Sequence, residues 1–200
     1  MIVKPALQRS PPSPWVARFA PLIGAGEVLD LACGTGRHAA LLAQLGHPVL
    51  AADRDPDALR QAAGEGISTF AWDFEDGGQA WPFAEARFAA IVIANYLHRP
   101  LWPQIVASLA PQGLLIVDTF ALGNAAFGRP ANPDFLLRPG ELLSLPRHCP
   151  PPDALHILAF EDGYTDAPRA AMVQRVCALK IAAASGADLP EYRAQLRLNT

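Results

Sequence analysis

At 200 residues and a formal net charge of −3, the chain is long enough for one α/β domain with a sizeable core and short for two. Because 51% of it is hydrophobic and 18% charged, disorder is excluded, and 16 Lys and Arg against 19 Asp and Glu leave no basic stripe to track a nucleic-acid backbone. No apolar run approaches the ~18 residues of a membrane span, and Met1 to Trp15, broken by prolines, lacks the apolar core of a signal peptide, so the expected location is cytoplasmic.

Ser13 and Pro14 offer a cap and a first helical residue for a short helix over Trp15 to Ile23. Glu27 to Ala32 is β-prone and ends at a glycine turn, after which Arg37 to Leu45 has helical apolar spacing until Gly46. The unit repeats: Pro48 to Ala52 reads as a strand, Asp55-Pro56 opens a helix to about Ala63, and Ile67 to Trp72 is the next strand. Phe88 to Ala94 is apolar on both alternating faces, as in a strand covered by helices on each side. A helix over Leu101 to Leu109, a turn at Pro111-Gln112-Gly113 and a strand over Leu114 to Thr119 follow. Phe120 to Leu137 reads as irregular, Pro139 to Leu145 as a short helix, and Leu155 to Phe160 with Met172 to Lys180 as a hairpin at the sheet edge. The sum is a Rossmann-like, doubly wound α/β fold with a seven-stranded, mostly parallel sheet whose last strand is antiparallel. One domain is expected over residues 1–200, with a cofactor-binding core at 13–119 and substrate-side loops plus the hairpin at 120–200.

Cys33, Cys149 and Cys177 are odd in number and widely spaced, which speaks for free thiols and against a disulfide framework or a metal site. The informative stretch is V-L-D-L-A-C-G-T-G-R, Val28 to Arg37, where Gly34 and Gly36 fall between a strand and a helix. Glycines there admit a ligand close to the backbone, and the amide groups of the helix start face the same spot. Asp53, at the tip of the second strand, suits the two hydroxyls of a ribose. Gly34-Thr35-Gly36-Arg37-His38-Ala39 also satisfies the dinucleotide fingerprint, so the glycines leave two cofactors open. Asp30 favours one of them, because a carboxylate below the turn repels a pyrophosphate and pairs with the ammonium of an amino-acid ligand.

These residues resemble the first motif of class I S-adenosylmethionine-dependent methyltransferases. Val49 to Asp53 is similar to their second motif, Asp73 in A-W-D-F to the third, and Ile91 to Leu97 to the fourth. The resemblance covers about Glu27 to Thr119 and departs from the usual pattern at Cys33, which here follows Ala32 where glycine is commoner. It implies S-adenosylmethionine as cofactor. The turn of Ala32, Cys33, Gly34, Thr35 and Gly36 would hold the methionine moiety, Asp30 its amino group, Asp53 the ribose and Asp73 the adenine amino group. Beyond that core, N-Y-L-H-R-P-L, D-T-F-A-L-G-N and R-P-G-E-L-L are similar to the tellurite-resistance branch of the superfamily, which points to a small acceptor.

Methyl transfer asks mainly for alignment and exclusion of water. After the fourth strand, Asn95 is expected against the cofactor, Tyr96 and His98 beside the transferred methyl, with His98 the candidate base. Each assignment has a plainer rival. Asp53 and Asp55 both suit the cap of the next helix, Asp30 suits an acceptor for its own turn, Asp73 lies in an acidic turn-like run, and a loop histidine is often only solvated. Arg129 and Arg138 bracket a loop that would be either an anion-binding lid or a solvated surface. Cys33 is either a reactive thiol or packing, and Trp72, Trp81 and Trp102 are either stacking surfaces or core. The reading is a methyltransferase acting on a small-molecule acceptor, with no nucleic-acid or membrane partner. The rivals are a nicotinamide-dependent reductase, a non-catalytic cofactor-binding subunit and a nucleic-acid methyltransferase. The last is weakened because Asn95 is not followed by Pro-Pro-Tyr.

Overall fold

The computed structural model describes residues 9–151 and 153–181. Among them no helix is long and apolar enough to cross a membrane. A first helix α1 (Pro14–Phe19) starts as its sequence dictates: Ser13 accepts the Trp15 and Val16 amides, and Pro14 needs no partner at the first position. It docks on the sheet through Trp15, 3% exposed, whose Nε1 donates to the Val176 carbonyl at 3.2 Å.

The sheet is built from β1 (Val28–Leu31), β2 (Val49–Asp53), β3 (Ile67–Ala71), β4 (Phe88–Ala94), β5 (Leu109–Phe120), β6 (Ala154–Thr165) and β7 (Ala171–Ile181), in the order β3-β2-β1-β4-β5-β7-β6. The first five run parallel, and β7 pairs antiparallel with β5 and with β6. Helices α2 (Arg37–Gln44), α3 (Pro56–Ala62) and α4 (Trp102–Ser108) make the crossovers. Asp55 caps α3 by accepting the Asp57 and Ala58 amides.

β4 explains why the centre holds. Phe88, Ala90, Ile91, Val92 and Ile93 are all but sealed from solvent, with one set of side chains entering the core on each face. Each large side chain buried there contributes about 1.5–3 kcal/mol. One boundary differs from the sequence reading. Pro111-Gln112-Gly113 is not a turn before β5 but lies inside it, where the pairing with β4 slips between Phe88 and Ala90 and Gln112 adopts φ 65°. A β-bulge absorbs these turn-prone residues without ending the strand.

Because β1 sends its crossover to β2 on one side while β4 continues on the other, the carboxyl ends of β1 and β4 form a topological switch point. A crevice opens there in folds of this kind.

Candidate active site

The turn after β1 is a tight one: Gly36 donates to the Cys33 carbonyl at 3.0 Å, and Cys33 donates to the Ala52 carbonyl at 3.0 Å, tying the turn to β2. Gly36 is obligatory. Its φ is +76°, and a Cβ there would come within 2.6 Å of the Ala62 Cβ, so α3 can approach only a bare backbone. Gly34, at φ +53°, has no atom within 4 Å of where a Cβ would stand and faces open space.

Two carboxylates are built into this turn. The Gly34 amide donates to Asp53 Oδ2 at 2.8 Å, while Asp53 Oδ1 accepts the Asp55 amide at 2.9 Å. Asp30, 1% exposed, accepts the Ala39 amide at 2.9 Å. Burial pushes its carboxyl up to about 7, against the lowering effect of the Ala39 N–H and Arg37. Ala32 and Asn95, the residues just past β1 and β4, both hold positive φ, at 55° and 56°. Strain of this kind, about 1–3 kcal/mol each, collects where a site over-determines the backbone.

Against this turn lies a cleft of about 150 Å³ lined by Ala32, Asp53, Arg54, Trp72, Asp73 and Tyr96, among others. The Tyr96 hydroxyl is buried and has no hydrogen-bond partner among the described residues. Burial, with Glu75 and Asp73 nearby, raises its pKa, so Tyr96 stays a neutral donor. Asp73 accepts the Glu75 amide at 3.0 Å and stands 3.9 Å from Arg54. Trp72 lines the cleft and stacks on Phe70 at 5.6 Å, whereas Trp81 and Trp102 belong to the core, Trp81 donating to Ser108 Oγ at 2.8 Å. Cys33 packs in the turn, 7% exposed, and burial raises its thiol pKa, which removes thiolate chemistry from consideration. Thr35 is exposed at the crest.

A second cavity of about 420 Å³ opens on the other side of the β4 tip. Asn95 lines it while its neighbour Tyr96 lines the first. Its wall includes Arg37, Asp118 and Phe120 from the strand tips and α2, and Arg169 and Arg175 from the hairpin. Asp118 accepts from Ser13 Oγ at 2.5 Å and from Arg175 Nε at 3.0 Å. His98 lines neither cavity and precedes a 3-10 turn, its carbonyl accepting the Leu101 amide at 3.2 Å. Arg129 and Arg138 line neither as well. Their loop is pinned instead: the Arg99 fork holds both Glu141 oxygens, at 2.6 and 2.9 Å, and the carbonyls of Asp134 and Leu136.

Sequence reasoning therefore finds the first cavity and misses most of the second. Asp118 carries a readable signal, a lone carboxylate ending the apolar run Leu114 to Val117. Arg169 and Arg175 carry none, because only the antiparallel insertion of β7 beside β5 brings them to the crevice.

Residues 28–113 match the sequence profile of a family described as Methyltransferase domain. An uncharacterized methyltransferase of Bacillus subtilis, YodH, is 31% identical over 121 residues, which are 56% of this chain and 47% of that one. The chain thus spans about half the length of this relative. A S-adenosylmethionine-dependent methyltransferase from Methanosarcina mazei superposes with a TM-score of 0.64 at 15% identity, over 86% of this chain and 99% of that one. The geranyl diphosphate C-methyltransferase of Streptomyces coelicolor, solved with Mg2+, geranyl diphosphate and S-adenosyl-L-homocysteine, does so with 0.59 at 13% identity, over 82% and 80%. At such identities the structural likeness speaks for the fold.

Proposed function

We propose that the protein is a class I methyltransferase that transfers a methyl group from S-adenosylmethionine to a small-molecule acceptor, a reading supported by the match of residues 28–113 to the methyltransferase-domain profile and by the fold shared with S-adenosylmethionine-dependent methyltransferases. The observation that carries this reading is the satisfied state of the glycine turn: Gly34 and Ala39 already donate to Asp53 and Asp30. A turn with two carboxylates at its base repels a pyrophosphate and favours an ammonium and a sulfonium.

The donor set fits that cofactor. Each Asp53 oxygen accepts one amide and keeps a lone pair for a ribose hydroxyl. Asp73 faces the same cleft and would accept from the adenine amino group. The unpartnered Tyr96 hydroxyl would donate to the nucleoside, a cofactor-side role in place of one beside the acceptor. Ala32, Cys33, Gly34, Thr35 and Gly36 would carry the amino-acid end on their backbone, with Asp30 beneath it and Asn95 closing the side toward β4. When bound, the cofactor supplies a methyl carbon already activated by its sulfonium, so that the acceptor's lone pair makes the new bond as the carbon–sulfur bond breaks.

The chain's part is then alignment, to about 3–3.5 Å, and exclusion of water. An acceptor that carries a proton must lose it, and His98, outside both cavities, would take it through water. The likeness of the segments after β4 and β5 to the tellurite-resistance branch supports a small acceptor over a macromolecular one. Calorimetry with S-adenosylhomocysteine and, separately, NADH tests the cofactor: the first is expected to bind and the second not, and binding of NADH alone overturns the reading. Transfer of labelled methyl from S-adenosylmethionine into a protein-free metabolite extract then reads turnover.

A further inference from the structure

The second cavity carries more positive charge than its neighbours neutralise. Three of its lining residues are Arg37, Arg169 and Arg175, against the single carboxylate of Asp118. Arg175 is spoken for, held by Asp118 at 3.0 Å and by Glu161 at 3.0 Å. Asp118 is spoken for as well, by Arg175 and Ser13. That leaves two guanidinium groups. Arg37 makes one long hydrogen bond, 3.4 Å, to the Pro11 carbonyl, and Arg169 lies 5.2 Å over the Phe120 ring. Neither has a carboxylate within salt-bridge distance among the described residues.

The two differ in position. Arg37 is the first residue of α2, directly after the glycine turn, on the side where the cofactor's amino-acid end belongs. Arg169 lies between β6 and β7, across the cavity, above an apolar wall of Phe120, Ala171 and Val173. A cavity of about 420 Å³, apolar on one wall with the exposed Arg169 guanidinium held over that wall by the Phe120 ring, selects a small amphipathic anion.

We propose that the methyl acceptor is a small carboxylate whose apolar body packs on Phe120 and Val173 and whose anionic group is held by Arg169. Arg37 serves the carboxylate of the cofactor itself. The inference rests on the methyltransferase reading for its second cavity to be an acceptor site, but its charge argument stands apart from it.

Calorimetry on the protein saturated with S-adenosylhomocysteine uses benzoate and hexanoate as probes and benzamide as the neutral counterpart of benzoate. Benzoate or hexanoate is expected to bind at least tenfold more tightly than benzamide. Arg169→Met is expected to erase that preference while leaving S-adenosylhomocysteine affinity unchanged, and Arg37→Met to do the reverse. Equal binding of benzoate and benzamide overturns the proposal, and so does a preference that survives Arg169→Met. If neither probe binds, the carboxylate assignment also falls. Failure of S-adenosylhomocysteine to bind at all, with the benzoate preference intact, strikes the methyltransferase reading and leaves the anion site standing. Circular dichroism of both variants separates a lost site from a lost fold.

Discussion

Asp53 does two jobs with one carboxylate, since its oxygens hold the Gly34 and Asp55 amides and would also receive the ribose. Asp53→Ala is expected to weaken S-adenosylhomocysteine binding by about 1–3 kcal/mol, as calorimetry would read it, the cost of losing a charge-assisted partner and leaving the turn amide unpaired. Asp53→Asn keeps an oxygen for Gly34 and should recover part of that loss. An affinity unchanged in both would remove the ribose assignment. Asp30 poses a sharper question, because its carboxyl, raised by burial to about 7, is half protonated at neutral pH. An ammonium seated above it prefers the ionised form, so binding must expel a proton below pH 7. S-adenosylhomocysteine affinity is then expected to fall about tenfold per pH unit on going down from 7 and to level off above about 8. Asp30→Asn should flatten that profile. A wild-type profile already flat would mean that Asp30 serves only the Ala39 amide, the rival role its place under the turn allows.

At the scale of elements, the segment from Asn132 to Glu141 is held by one side chain. Arg99, itself part of the loop after β4, binds Glu141 and the carbonyls of Asp134 and Leu136. Burial alone would raise the Glu141 carboxyl, yet the Arg99 fork and the Arg138 amide hold it below the usual range. Arg99→Met strands two carbonyls and a half-buried carboxylate and is expected to cost about 2 kcal/mol in denaturant unfolding, discounted for the partial exposure of the pair. Hydrogen exchange at Leu136 and Leu137 should speed up, with cofactor affinity unchanged. A variant as stable as the parent would mean that the fork is replaceable by water. The same comparison marks where the sequence is legible. The β1 to β5 units, their caps at Ser13 and Asp55 and the carboxylates at strand tips are local, each readable from a few neighbouring residues. The Arg99 fork, the bulge at Gln112 and the arrival of Arg169 and Arg175 beside Asp118 depend on contacts between segments far apart in the chain, and no periodicity encodes those. Gly36 lies between the two: its role in the turn is visible in the motif, its contact with Ala62 only in the packing of α2 on α3.

For the molecule as a whole, two buried groups near the start of α2 oppose each other in acid. His38, 3% exposed, accepts the Ser13 amide through Nε2 at 3.1 Å and so joins the segment before α1 to α2. Burial, helped by Arg37, lowers its pKa from 6.5 to about 3. Between those values the unfolded chain binds a proton that the folded one refuses, so stability falls as pH drops from 6.5 toward 3, by about 1.4 kcal/mol per unit. Asp30 has the opposite sign. Raised from 3.8 to about 7, it holds a proton in the fold that the unfolded chain gives up, so its contribution is complete below 3.8 and is lost as pH climbs toward 7. From about pH 4.5 to 6.5 the two slopes cancel, and the folded protein should show a plateau of stability there, with a fall on the acid side where His38 and the depressed Glu141 carboxyl both lose stability. His38→Gln, whose amide oxygen can still accept from Ser13, removes one slope and leaves the other. Chemical denaturation of that variant is expected to show stability declining steadily from about pH 4.5 to 6.5, where the parent is level. A variant as level as the parent would mean that Asp30 is ionised in the folded protein at all these pH values, and the predicted proton release on cofactor binding would go with it.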